Sequence, residues 1–384
     1  MIRVNNLIAD LESHSLPPET LAAARKWGVY GKLRRKYSNF QAPGSTFAPG
    51  AGGERPAQGS RNQGEKAKMG LFLPQGGTVI RVGVAGWDYP DWEGIVYPSP
   101  HPRGFDRLAY LASLFDVIEI NVTFYRQPDP AAAHSWIDRV AAYPSFLFTA
   151  KLHRSFTHPG WHSPAGAEPP VELSESARHY RDGIAPLLEA GRLGAVLAQF
   201  PHAFHDREES RERLRTIRAI LPDLPLVAEF RHRSWGHEGV LRFLNDLGIG
   251  FCNIDQPPIG STLRPSGHVT SKLAYIRLHG RNGDNWFKSG ESAAARYDYL
   301  YSMEELRPWV ERADRLQERA EEVFIIANNH YRGKAPANAL MVQSALRRMR
   351  VEAPPELVDL YPEMAEVTKP ARRRPPAQGL LFDA

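Results

Sequence analysis

Eight short apolar runs recur along the chain, each followed by a helical pattern or a long loop. They lie at residues 80–85, 116–121, 146–151, 194–199, 224–230, 249–254, 273–279 and 322–328. Between them fall helical patterns at 105–115, 130–142, 174–190, 208–221, 239–246, 303–319 and 336–350. Parallel strands need long crossover connections, and helices supply them, so this alternation predicts a parallel sheet. Eight units between residues 79 and 361 predict an α/β fold, a TIM-like (β/α)8 barrel. A doubly wound open sheet is the competing arrangement. It needs fewer strands, and no Gly-rich phosphate loop follows the first run.

Side chains alternate along a strand, and a strand buried between helices should be apolar on both faces. Several of these runs break that rule at their C-terminal ends. Glu119 and Asn121 oppose Ile118 and Ile120. Thr149, Lys151 and His153 oppose Ala150 and Leu152. Leu197 and Gln199 oppose Val196 and Ala198. Val227, Glu229 and Arg231 oppose Ala228 and Phe230, and Tyr275, Arg277 and His279 oppose Ile276 and Leu278. On the sixth run, Phe251, Asn253 and Asp255 oppose Cys252 and Ile254. The apolar faces suit the helix layer, so the polar faces are expected to meet at the barrel axis. Active sites of this fold occupy that end. A purely structural role, Lys151, Arg231 and Arg277 neutralising Glu119, Glu229 and Asp255, explains it less well, because buried ion pairs often add nothing net to stability.

The expected catalytic set is Glu119, Lys151, Glu229 and His279: two carboxylates for acid and base work, a cation, and a proton shuttle, with His153 as the alternative shuttle. Paired carboxylates also fit glycoside hydrolysis, although sequence spacing does not fix their separation. Lys151, Arg231 and Arg277 are expected to hold an anion, arginine offering a bidentate fork. The segment from Asn329 and His330 to Lys334 joins the eighth strand to a helix with Pro336 near its first turn, where phosphate often binds in such barrels. Asn121, Gln199, Asp255 and Asn328 complete the polar rim, and His158 joins it. Trp87, Tyr89, Trp92, Phe124 and Tyr125 are expected either to stack a base or sugar or to close the barrel top. Glu119, Glu229, Asp255 and His279 form a conceivable divalent-metal set, disfavoured by three nearby cations. The sequence names no cofactor.

At this point the residues resemble a known family. Val82-Gly83-Val84-Ala85-Gly86-Trp87-Asp88-Tyr89-Pro90-Asp91-Trp92 with Tyr97-Pro98 is similar to the opening motif of the YecE-like family, the domain of unknown function 72. Glu119-Ile120-Asn121 with Thr123-Phe124-Tyr125, and Phe148-Thr149-Ala150-Lys151 with Thr157-His158, follow in that family's order. So do Gln199-Phe200-Pro201, Glu229-Phe230-Arg231 with Ser234-Trp235, residues Tyr275 to Gly280, and Asn328-Asn329-His330-Tyr331. The resemblance covers roughly residues 80–350. It implies a TIM-like barrel and no particular reaction. Residues 1–78 and an insertion over 155–171 depart from the family pattern.

Composition narrows the remaining possibilities. Charged residues make up 24% and hydrophobic residues 42%, ordinary for a soluble globular chain. No apolar run approaches the about 18 residues that a membrane helix needs, and no secretory leader is apparent, so no membrane association is expected. Cys252 is the only cysteine, which excludes an internal disulfide and fits a reducing cytoplasm. The net charge of +5 sits in the tails. Residues 1–78 carry 11 Lys/Arg against 5 Asp/Glu, 364–384 carry 4 against 2, and 79–363 carry 33 against 36.

Residues 1–40 are expected to form a basic helical extension, 41–78 a flexible linker, 79–361 the barrel, and 362–384 a disordered Pro/Arg-rich tail. The tail ends in Gln378-Gly379-Leu380-Leu381-Phe382, which resembles the peptide by which bacterial DNA-processing proteins dock on the sliding clamp. Gln378, Leu381 and Phe382 would be its anchors. The sequence therefore predicts a cytoplasmic barrel enzyme, a hydrolase or lyase, acting on an anionic, phosphorylated or nucleic-acid-derived substrate. A DNA-associated adaptor tethered to the sliding clamp is the alternative.

Overall fold

The structure, a computed structural model, describes residues 78–158, 173–286 and 296–370. The expected basic helix over 1–40, all of the expected linker except residue 78, and the peptide 378–382 lie outside those residues. Eight parallel strands close on themselves: β1 (Val79–Ala85), β2 (Val117–Ile120), β3 (Leu147–Lys151), β4 (Leu193–Gln199), β5 (Leu226–Glu229), β6 (Gly250–Asp255), β7 (Leu273–Leu278) and β8 (Glu322–Ala327). β1 pairs with both β2 and β8, which completes the (β/α)8 barrel. The principal helices are α1 (Arg107–Ala112), α2 (Pro130–Arg139), α3 (Leu173–Glu189), α4 (Glu208–Ile220), α5 (Glu238–Asp246), α6 (Met303–Leu316) and α7 (Lys334–Arg347). Among the described residues no helix is long and apolar enough to cross a membrane.

Local chemistry sets the helix ends. Asp106 accepts from Ala109 N at 2.8 Å to start α1, and Asp129 accepts from Ala131 N at 3.0 Å ahead of Pro130 in α2. Ser302 and Glu305 form a reciprocal capping box on α6. Except on β6, the outward faces of the strands are apolar and buried, with Val84, Ile118, Ile120, Phe148, Val196, Ala228, Phe230 and Ile276 packed under the helices. Gly83 has no space for a side chain: a Cβ there would lie 1.7 Å from the Val117 carbonyl oxygen.

The register fixes which residues face the axis. Paired residues of neighbouring parallel strands point the same way. Following the pairs Ala85–Glu119, Glu119–Thr149, Lys151–Leu197 and Gln199–Glu229 puts Glu119, Thr149, Lys151, Gln199 and Glu229 inside. A one-residue shift between β3 and β4, with Phe148 opposite Leu193 but Thr149 opposite Ala195, makes Gly194 the extra residue. The Phe324 ring fills the space beside it.

The sixth strand corrects the expectation. Cys252 pairs with Tyr275 and Ile254 with Arg277, so Cys252 and Ile254 share the inner face with them, and Asn253 and Asp255 point outward. Both outward polar residues find polar partners outside the barrel. Asn253 bonds the His268 backbone and Ser266, and Asp255 meets Trp309 of α6.

Residues 362–370, expected to belong to a disordered tail, are instead part of the folded unit. Residues 362–364 form a helical turn, and β10 (Thr368–Pro370) pairs with β9 (Val351–Ala353), with Met364 and Thr368 buried. Those apolar contacts and the strand pairing outweigh the polar composition that suggested a boundary at 361.

Candidate functional site

The inner layer near the C-terminal end of the barrel is built around Arg277, which is fully buried. Its Nη2 donates to Glu119 Oε1 at 2.6 Å and its Nη1 to Glu229 Oε2 at 2.5 Å, with Gln199 Oε1 at 3.2 Å from Nη1. Tyr275 Oη donates to Glu119 Oε2 at 3.0 Å and lies 2.8 Å from Thr149 Oγ1. Arg231 reaches Glu229 Oε1 through Nε at 3.1 Å and Nη2 at 2.9 Å. β2, β4, β5 and β7 thus contribute to one charge-assisted network. Burial alone would raise the Glu229 carboxyl, but the Arg277 and Arg231 guanidiniums outweigh it and hold it well below the usual carboxylate range. Burial raises the Tyr275 phenol, so it is a hydrogen-bond donor at every ordinary pH.

Above this layer the groups are less well matched. Lys151 Nζ lies 5.7 Å from the Phe124 ring centre and pairs with no carboxylate among the described residues. Burial, with Arg277 and Arg231, brings its ammonium down to about 8, against the upward pull of Glu119 and Glu229. His279 is fully buried. Asn328 Nδ2 lies 3.0 Å from its Nδ1. With the amide as donor, the neutral ring carries its proton on Nε2. Nε2 sits 3.3 Å from Glu229 Oε1 but off the line of a hydrogen bond. Burial pushes this imidazole down to about 3. Burial also pushes His330 and His158 down to about 4, and the Lys151 charge adds to both shifts. The mouth therefore combines neutral imidazoles with charged amine and guanidinium groups.

The aromatic residues divide between the mouth and the helix layer. Tyr89 stacks on His330 with ring centres 4.5 Å apart, and its hydroxyl donates to Ala85 O and lies 3.5 Å from Asn121 Nδ2. Phe124 meets His158 edge-on at 5.2 Å, while Tyr125 beside it is exposed. Trp87 packs on Trp136 of α2, and Trp92 is buried and donates to the His330 carbonyl, so these two serve packing. Sequence reasoning missed Trp286 and Tyr297 after β7. Arg231 lies 5.3 Å from the Trp286 ring centre, and Tyr297 lies 5.1 Å from His330 and 6.4 Å from His279. The signal available was an aromatic-rich loop beyond the Tyr275-to-Gly280 motif.

Several expected ligand residues lie elsewhere. Asp255 is saturated by Arg281 at 2.7 and 2.9 Å, Tyr301 at 3.1 Å and Trp309 at 2.5 Å, outside the barrel. Asn329 ties the loop to Tyr299 O and Asn338 Oδ1. Lys334 is paired with Asp298. The expected phosphate loop is occupied by the protein itself: Asp91 Oδ2 accepts from Arg332 N at 2.5 Å, and Val96 and Leu357 cover Gly333. An internal carboxylate and packed side chains have taken the place expected for an anion. His153 caps the turn Arg154–Thr157, its Nδ1 accepting from Ser155 N and lying 2.9 Å from Ser155 Oγ. Among the described residues no group of three His, Cys, Asp or Glu side chains is arranged to hold a metal ion.

The model of the family described as "Protein of unknown function DUF72" matches residues 81–359. The chain belongs to the DUF72 family. The DUF72 match runs from within β1 to beyond β8 and leaves the basic N-terminal residues outside. The UPF0759 protein YunF of Bacillus subtilis (strain 168) is 27% identical over 292 residues, covering 74% of this chain and all of that protein. Among solved structures, a DUF72 family protein from Thermotoga maritima MSB8 is 34% identical, with a TM-score of 0.59 over 70% of this chain and 99% of that one. A DUF72 family protein from Enterococcus faecalis V583 is 26% identical, with a TM-score of 0.60 over 70% of this chain and 96% of that one.

Proposed function

We propose that this DUF72 barrel is an enzyme, a hydrolase or lyase, that takes a small anionic substrate, phosphorylated or derived from nucleic acid, at the C-terminal rim. The observation that carries the reading is the sharing of Glu119 and Glu229 by Arg277, which leaves Lys151 with no acid partner among the described residues. Two carboxylates stand against three cations, Lys151, Arg231 and Arg277, so the cluster keeps one positive charge while the imidazoles stay neutral. A site with surplus positive charge and low solvent access favours an anion. Arg231 supplies the fixed charge at the mouth, and Trp286 beside it offers an aromatic face.

Calorimetric titration with inorganic phosphate and with nucleoside 5′-monophosphates tests this on the wild type and on Arg231→Gln. Loss of one charge-assisted hydrogen bond should weaken binding by about tenfold or more. Equally weak binding by both proteins removes the anion.

A further inference from the structure

We propose that Lys151 forms an imine with the carbonyl carbon of a small anionic aldehyde or ketone, so that the site carries out lyase chemistry. The inference rests on the anion-binding reading and adds the bond that the site makes.

The backbone comes first. The Lys151 carbonyl accepts from Thr123 Oγ1 at 2.6 Å and from Tyr180 Oη at 3.0 Å, both on buried side chains. This double tie fixes the last residue of β3 and the direction in which its side chain leaves the strand. A lysine kept for charge balance would close on Glu119 or Glu229. Both carboxylates close on Arg277 instead, so a guanidinium stands where permanent charge is needed and an amine stands where it is not. Only the amine can lose a proton near neutral pH and act as a nucleophile, and neighbouring cations with desolvation favour that loss. The ammonium's descent to about 8 agrees with the geometry.

The step balances without an oxidant or reductant. Lys151 first releases one proton. Its Nζ lone pair attacks the carbonyl carbon, the C=O π pair moves to oxygen, and a proton passes from nitrogen to that oxygen. The hydroxyl then leaves as water with the proton released at the start, and the C=N bond of the iminium forms. The proton released at the start passes to solvent and returns from it, so the step asks no neighbouring imidazole to become charged. In a substrate with a β-hydroxyl, that hydroxyl yields its proton to solvent and the β carbon leaves as an aldehyde. The bonding pair moves towards the iminium as an enamine.

The test is reductive trapping of the full chain by cyanoborohydride, with glycolaldehyde phosphate in one arm and glycolaldehyde in the other, read by peptide mass mapping. Lys151 should be labelled at least about tenfold faster than the exposed Lys272 of the same molecule. Inorganic phosphate should slow the phosphate arm, and Lys151→Arg should lose the label. The comparison within one molecule decides even if that variant fails to fold. Labelling of Lys151 no faster than Lys272 in either arm overturns the imine and leaves the anion reading to phosphate binding alone. Equally fast labelling in both arms keeps the imine and removes the anion.

Discussion

Replacing Arg277 by methionine tests the network directly. The substitution roughly keeps volume and removes the one cation that two fully buried carboxylates share. Breaking one buried pair by removing a partner costs about 3–5 kcal/mol, because a charge is left uncompensated. Glu229 would keep Arg231, but Glu119 would keep only the Tyr275 hydroxyl. The loss should therefore reach at least that range, out of a total stability of about 5–15 kcal/mol. At about 2–4 °C per kcal/mol for a chain of this class, Tm should fall by roughly 6–20 °C.

The pH dependence gives the sign. In the wild type the Glu229 carboxyl is held below its ordinary 4.5, so its stabilisation is present above that value and lost as pH falls through the folded-state value. In Arg277→Met the largest downward pull on Glu229 is gone and burial acts on it with less opposition, so its folded-state value rises above its ordinary 4.5. A group so raised binds protons preferentially in the folded state, so the variant gains stability as pH falls. Urea denaturation followed by circular dichroism should show a deficit that is largest near pH 8 and narrows towards about pH 5. A deficit under about 1 kcal/mol, or one independent of pH, would refute the picture of Arg277 as a buried counter-ion.

Other outcomes follow from particular contacts. Tyr275→Phe leaves Glu119 and Thr149 one bond short, and urea denaturation should show a loss of about 1–3 kcal/mol; no measurable loss would mean that the hydroxyl carries nothing. Replacing Glu119, Glu229 and Arg277 together by apolar residues of similar volume should give back several kcal/mol relative to Arg277→Met, since apolar packing often matches a buried ion triad. A triple variant no more stable than the single one would contradict that. Lys334→Met should leave phosphate affinity within about twofold of wild type, because Asp298 already pairs with that lysine. A tenfold loss would restore the loop after β8 as the anion site. We further propose that the last seven residues bind the sliding clamp, so a pull-down should succeed with the full chain and fail without them; equal capture removes that partner.

Much of the barrel was legible because its signals are local and periodic. Short apolar runs gave the strands, and the helical patterns between them, such as 130–142 and 303–319, gave the helices that the structure places over Pro130–Arg139 and Met303–Leu316. The inner polarity of Glu119, Lys151, Glu229 and Arg277 was legible for the same reason. Parity failed on β6 because alternation says that residues differ in direction, not which set faces inward. Only the pairing of Cys252 with Tyr275 settles that. The loop at 329–336 carried the residue types of a phosphate site, but Asp91 reaches it from far along the chain. Trp286 and Tyr297 likewise join the mouth through tertiary placement that no short window reports.

The division between the two polar layers bears on which groups can do chemistry. A general acid or base needs a lone pair or proton free to meet the reacting atom. Glu119 uses one oxygen on Arg277 and the other on Tyr275, and Glu229 uses one on Arg277 and the other on Arg231. Protonating either would break an ion pair of 2.5–2.6 Å in a buried setting. These carboxylates are therefore better suited to holding Arg277 and Arg231 in place than to exchanging protons. An apolar layer would serve stability as well, so the charged one makes sense through what it leaves above it: Arg231 with a fixed direction and Lys151 without a partner acid. On this reading the carboxylates are positioning residues, and the reactive atom of the site is a nitrogen.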